Sequence, residues 1–323
     1  MMTNASMTLA GIDIGGTKIG VCLGDDIGHV VDARRFAIDH EASPEDVLDR
    51  ALGLLDEMMA EQRLEAPRAI GVPCPGPIDV TREAFLDPPN MPRWHDFEVM
   101  KFLRARRGPA VHMMNDANAT ALAEWRWGAA KGTRTAAFLT MSTGMGAGLI
   151  IDGQLFEGKL GLAGEIGHIR MRGDGPVGFG KRGSVEGYLS GPGMVQVAEA
   201  ERRVAAQRGE TTQLAAVDIT PERLFEAARA GDAVAIRAVD RIGHMLGELI
   251  AMLTDLLNPE AIVLGTIGTA AFDLLEPRAR AVVEREALPA AAALLRILPT
   301  GLKDKSSQAA LAVATLAIES SDV

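Results

Sequence analysis

Asp116 follows Asn115 where an apolar run, Val111–Met114, gives way to a helical pattern over residues 117–128. A carboxylate at that junction has two ordinary uses. It can cap the helix, or it can take the proton from an alcohol that attacks a phosphate, a reaction that otherwise needs only in-line geometry and held charge. The second use requires something that grips phosphates. Gly15-Gly16-Thr17-Lys18 and Thr143-Gly144-Met145-Gly146 are the two candidates. Neither fits the glycine loops that open a helix, because strand alternation resumes after Lys18 and after Gly146. A β-hairpin turn makes a different cradle: glycines let backbone N–H groups turn inward, and a threonine hydroxyl adds a donor. Two such hairpins facing each other across a cleft would clamp a polyphosphate from both sides. Each could equally be a plain hairpin; the carboxylate and the second copy favour the cradle. Glu165 and His168 are three residues apart, so one helical turn sets them on one side. A neutral imidazole both donates and accepts, which suits a hydroxyl, although a histidine bonded to backbone would look the same in sequence.

The elements that must position these residues repeat. Leu9–Ile14, Ile19–Leu23 and residues 30–38 read as three strands around the first turn; Ala136–Met141, residues 147–151 and 154–156 read the same way around the second, with Asp152-Gly153 as a tight hairpin. Strand, Gly/Thr turn, strand, tight turn, strand therefore occurs twice, which predicts two lobes of related build. Ser43-Pro44 starts a helix that carries Val47, Leu48, Leu52, Leu55 and Met59 at helical spacing to residue 62. Ile70–Val72 is a strand running into Pro73-Cys74-Pro75-Gly76-Pro77. The C-terminal part is mostly helical, with a long helix over 232–257 ended by Asn258-Pro259, a buried strand at Ala261–Leu264, and a last helix over 306–318.

At 323 residues the chain is long enough for about two domains. A net charge of −10 with no basic run argues against nucleic acid and anionic membrane as partners; Arg104, Arg106 and Arg107 read as a solvated helix end. No apolar run reaches the length of a membrane span, and no signal peptide is recognised. Cys22 and Cys74 lie in apolar surroundings and read as reduced core residues of a cytoplasmic protein.

Asp13-Ile14-Gly15-Gly16-Thr17-Lys18 resembles the first phosphate motif of the ROK family, the sugar kinases and related repressors of the actin-like ATPase superfamily. Ser142-Thr143-Gly144-Met145-Gly146-Ala147-Gly148 is similar to its second. Gly71–Asp79, Asn115–Ala119 and Gly161–His168 follow in the family's order, so the resemblance runs from about residue 9 to the C-terminus. It implies an α/β, two-lobed actin-like ATPase (ribonuclease H-like) fold, each lobe a mixed sheet flanked by helices. Residues 1–117 would form the N-terminal lobe, 118–304 the C-terminal lobe, and 305–323 a helix returning to the first. It implies ATP and Mg²⁺ as cofactors, a hexose as substrate, with glucose at its 6-hydroxyl as the first acceptor, and a homodimer.

The resemblance also distributes roles. Asp116 would be the catalytic base. Gly76, Asn90, Asn115, Glu165, His168 and Glu186 would contact the sugar. Gly15, Gly16, Thr17, Lys18, Thr143, Gly144 and Gly146 would hold the phosphates, and Gly265 and Gly268 would lie under the adenosine, where Thr266 departs from the usual glycine pair. Asp13 would orient Mg²⁺ through water, since that ion keeps much of its hydration. One stretch departs further. Many ROK kinases carry three cysteines after this histidine that bind zinc with it; here Val177, Phe179 and Ser184 stand in those places. Valine and phenylalanine cannot ligate, so no structural zinc is expected, and packing, with Phe179 as a plug, is expected to hold the loop. Fructose, mannose, allose and N-acetylated amino sugars remain alternative acceptors, and a non-catalytic sugar sensor is the competing reading. The family's repressors carry an N-terminal helix-turn-helix, for which a motif starting at Asp13 leaves no room.

Overall fold

The computed structural model describes residues 8–319 apart from 77, 80–82, 87–90 and 109. The chain forms two compact units. The first comprises Met1–Gly132, Leu155–Ala163 and Gly301–Val323; the second comprises Thr133–Gln154 and Gly164–Thr300.

In the first unit β1 (Leu9–Ile14), β2 (Lys18–Gly24) and β3 (Val30–Ala37) are followed by β4 (Ile70–Cys74), a short ladder of β5 (Ile78–Asp79) and β6 (Ala84–Phe85), and β7 (Val111–Asn115). The main sheet runs β3-β2-β1-β4-β7. β1, β2 and β3 form an antiparallel meander, while β1, β4 and β7 are parallel. Helix α1 (Pro44–Gln62) starts where Ser43 Oγ accepts from Asp46 N at 3.1 Å, and it packs Val47, Leu48, Leu55 and Met58 against Ala10, Ile12 and Ile14. α2 (Val99–Arg107) ends in Arg104, Arg106 and Arg107; this solvated end is also paired, Arg106 with Asp49 at 2.6 Å and Arg107 with Asp56 at 2.7 Å, both on α1.

Strand alternation turns Leu9 and Gly11 to the opposite face. There the C-terminal helix, Lys305–Glu319, covers them with Ala310, Leu311 and Ala314. The two glycines at this face are paired neighbours, Gly11 on β1 and Gly71 on β4. A Cβ on Gly71 would lie 2.0 Å from Ala310 O and 2.5 Å from Ala314 N; one on Gly11 would lie 2.3 Å from Ala310 Cβ. Helix backbone therefore rests directly on sheet backbone. α3 (Asp116–Trp127) packs Ala119, Leu122 and Ala123 against Ala309, Ala312 and Val313 of the same helix. That contact keeps all of α3 in the first unit, beyond the 117/118 boundary expected from sequence.

The second unit repeats the plan. β8 (Ala136–Met141), β9 (Met145–Ile151) and β10 (Gln154–Leu155) precede the small hairpin β11 (Val177–Gly178) and β12 (Lys181–Arg182), then β13 (Ala261–Leu264) and β14 (Arg296–Pro299). Its main sheet runs β10-β9-β8-β13-β14, with β8, β13 and β14 parallel. The helices are α4 (Val185–Leu189), α5 (Gly191–Arg208), α6 (Pro221–Arg229), α7 (Ala233–Leu257), α8 (Ile267–Ala270), α9 (Phe272–Glu286) and α10 (Pro289–Leu294). α7 is capped by Asp232, whose Oδ1 accepts from Val234 N and Ala235 N at 3.0 Å, and it buries Val239, Ile242, Leu246, Leu249 and Leu253 against Leu139, Ile262 and Leu264. Among the described residues no helix is long and apolar enough to cross a membrane.

The Gly71→Ala substitution is expected to cost about 3 kcal/mol, the upper end for overpacking, because both colliding groups are backbone and cannot rotate away. A thermal melt checks this: an unchanged midpoint would mean the helix does not rest on the sheet as described.

Candidate active site

In the first unit the site residues gather at the carboxyl ends of the three parallel strands, the usual ligand edge of such sheets. Cys74 at the end of β4 pairs with Asn115 at the end of β7, and the β1–β4 register carried forward sets Ile14 beside Cys74. After β1 the chain turns tightly at Gly15, whose N–H donates to Lys18 O at 3.0 Å, and Thr17 O accepts from Ile38 N at 3.0 Å. Thr17 and Lys18 are exposed. Asn115 caps α3: its Oδ1 accepts from Ala117 N at 2.9 Å. The capping use considered for Asp116 thus falls to its neighbour. Asp116 is the first residue of α3 and exposed, at the helix end where negative charge is favoured. Gly76 lies close by, since a Cβ there would sit 3.2 Å from Asn115 Nδ2.

Asp13 lies at the end of β1 on this edge. Burial pushes its pKa above the ordinary value, against a hydrogen bond with Ser306 and the charges of Arg35, Lys305 and Lys18. Ser306 and Lys305 open the C-terminal helix, and sequence reasoning did not connect them to Asp13. The polar run Lys303–Ser307 leading into an otherwise apolar helix was the available signal. The Cys74 thiol is pushed well above its usual range by burial, with Asp116 and Asp13 adding negative potential; Cys22 is pushed up to about 12, again chiefly by burial. Both cysteines are buried and unbridged, as core residues should be.

In the second unit the turn after β8 is closed by Ser142 N donating to Gly144 O at 3.0 Å and anchored by Gly191 N donating to Ser142 O at 2.7 Å. Glu186 on α4 braces it: Oε2 accepts from Met145 N at 3.2 Å and would lie 3.0 Å from a Cβ on Gly144. Thr143 is exposed, and Gly146 continues into β9 opposite Thr140. The Gly161–His168 segment returns beside β9, with Ala147 N donating to Gly164 O at 2.8 Å. Gly164 has φ +91°, and a Cβ there would strike Ala147 O at 2.0 Å, so only glycine fits. Residues 166–168 form one 3₁₀ turn, and Glu165 and His168 share its side with Oε2 and Nε2 3.8 Å apart. Gly265 and Gly268 follow β13 and are joined by Gly268 N donating to Gly265 O at 2.9 Å. Thr266 between them has φ +48°, a left-handed backbone unusual for a β-branched residue. The backbone still takes the glycine-like conformation although the second glycine is missing. Asn90 lies outside the described residues.

The residues fit an Mg²⁺–nucleotide. Among the described residues no group of three or more His, Cys, Asp or Glu could hold a metal alone. A single strand-end carboxylate, Asp13, beside a glycine turn is the pattern for an ion that takes most of its shell from phosphate and water. They do not fit zinc. Val177 and Phe179 offer no ligating atom, and Ser184 Oγ accepts from Gly187 N and donates to Lys181 O, each at 3.1 Å. The loop is held instead by a β11–β12 hairpin with Phe179 (φ +45°) and Gly180 (φ +71°) at its turn, and by Gln196, which clamps Val177 through both backbone groups at 2.8 and 2.9 Å. Phe179 is not the plug expected from sequence: it is 74% exposed at the tip. The base is filled by Ser184 and the close-packed glycines 178 and 187.

The ROK family model matches residues 9–319. The glucokinase of Streptomyces coelicolor is 32% identical over 261 residues, covering 79% of this chain and 80% of that protein. The xylose repressor of Caldicellulosiruptor bescii is 27% identical over 93% of this chain and 75% of its own length. The crystal structure of a ROK family glucokinase from Streptomyces griseus in complex with glucose and AMPPNP matches with TM-score 0.74 and 28% identity, covering 98% of this chain and all of that one.

Since Asp13 carries a raised pKa, the folded protein binds more protons than the unfolded chain between the ordinary value and the raised one. Stability then falls as pH rises through that window and stays reduced above it. Asp13→Asn is expected to melt higher than wild type at pH 7, by about 2–4 °C per kcal/mol relieved, and the gap should close near pH 3; a variant that melts lower at pH 7 would contradict the assignment. For the 177–184 loop, metal analysis should find well under one zinc per chain, and a zinc chelator should leave the melting midpoint in place.

Proposed function

Because the chain belongs to the ROK family, whose members share this actin-like ATPase fold, we propose that it transfers the terminal phosphoryl group of ATP to a hexose hydroxyl, with the 6-hydroxyl of glucose as the first acceptor to test. The observation that carries the proposal is the state of Asp116. It is an exposed carboxylate at the start of α3, with the helix cap already supplied by Asn115. Its exposure keeps the carboxylate within reach of an acceptor's proton.

Mg²⁺–ATP, when bound, supplies the phosphoryl group and neutralises its developing charge. In this reading Gly15, Gly16, Thr17 and Lys18 hold one part of the phosphate chain and Thr143, Gly144 and Gly146 another, while Gly265 and Gly268 carry the adenosine. Asp13 orients the ion through its water shell. Gly76, Asn90, Asn115, Glu165, His168 and Glu186 hold the sugar. Glu186 does double duty, since its other contact braces the second phosphate turn. The enzyme would act in the cytoplasm, where ATP is made, and as a homodimer.

A coupled ADP-release assay over glucose, fructose, mannose, allose and N-acetylmannosamine tests this. Asp116→Asn is expected to lower kcat by about 10²–10⁴-fold, the range for losing a general base, while glucose binding persists. The likeness to the xylose repressor favours a second reading, a sugar sensor without turnover. Tight sugar binding with no ADP released from any acceptor would select it.

A further inference from the structure

The hairpin of β11 and β12 presents Phe179 in an unfavourable way twice over. Its backbone is left-handed, which bulky side chains rarely adopt, and its ring is mostly in solvent. A residue held so persists where its surroundings over-determine it, and such outliers concentrate at functional positions. Core packing does not explain it. The described ring contact of Phe179 is with His168: the centroids are 4.9 Å apart and the planes meet at 81°, an edge-to-face geometry. Two residues on, Lys181 Nζ donates to His168 O at 2.7 Å. One small hairpin therefore holds both the ring and the backbone of one histidine. Its own base is stiff, being clamped by Gln196 on Val177 and by the hydroxyl of Ser184.

We infer that Phe179 and Lys181 are positioning residues for His168, the hairpin tip fixing the plane of the imidazole and Lys181 fixing its carbonyl, so that the ring's nitrogens meet an acceptor hydroxyl in one orientation. Glu165, 3.8 Å from Nε2, completes the frame. The inference rests on the sugar-kinase reading for what His168 does; the contact itself does not. It explains why a strained, exposed phenylalanine sits at a turn where asparagine followed by glycine would relax the backbone.

Phe179→Asn separates positioning from simple structure, because asparagine suits the left-handed turn position while deleting the ring. The variant should melt at or above the wild-type midpoint. Its KM for glucose should rise about three- to tenfold, the value of one aromatic contact, with KM for ATP unchanged. The His168 ring-proton resonances, followed in histidine-labelled protein, should move as the ring current of Phe179 disappears, and Phe179→Tyr should restore both readouts. An unchanged KM for glucose, or His168 resonances that stay in place, would overturn the inference. If the wild type turns over no sugar, the kinase reading fails, and an imidazole orientation unchanged in Phe179→Asn, read from nuclear Overhauser contacts of the His168 ring protons, would still overturn the inference.

Discussion

The closest constraint in the first unit is backbone against backbone. The C-terminal helix lies on β1 and β4 at a distance that only Gly11 and Gly71 permit. This contact does more than close a core. It brings the start of that helix, Lys305 and Ser306, to the end of β1, where they hydrogen-bond and partly neutralise Asp13. A residue near the end of the chain thus tunes a carboxylate near its beginning. The same helix receives α3 on Ala309, Ala312 and Val313, and so sets the direction in which Asp116 leaves the sheet. One small-residue seam aligns the proposed ion-orienting group and the proposed base.

The second unit meets the same task with side chains. Its phosphate-type turn is closed by its own backbone and then held from outside by Glu186 and by the N–H of Gly191. Glu186 lies on α4, whose start is fixed by Ser184, and Ser184 also ties down the hairpin that carries Phe179. A chain of hydrogen bonds therefore links the tip beside His168 to the turn at Ser142–Gly146.

Much of this was legible from the chain alone. The repeated strand-turn-strand pattern announced two sheets of like order, Ser43-Pro44 marked the start of α1, and the five motifs in series identified the family. What escaped was each partner supplied from far away. Ser306 stood in a visible polar run, but nothing local tied that run to Asp13. Glu186 was expected at the sugar, and its brace on the second turn gave no local sign. The loop without cysteines suggested a hydrophobic plug, whereas its turn geometry, with two left-handed residues in succession, projects Phe179 outward.

By itself the amino-acid sequence determined the family and which local element each candidate residue occupies, because strand alternation, helix periodicity, caps and glycine turns are short-range effects written within a few residues. Only the tertiary structure decided that Asp13 is desolvated while Asp116 stays exposed, that Asn115 supplies the cap, and what packs against His168. Those outcomes depend on desolvation and on contacts between residues as distant in the chain as Asp13 and Ser306, and no local pattern encodes them.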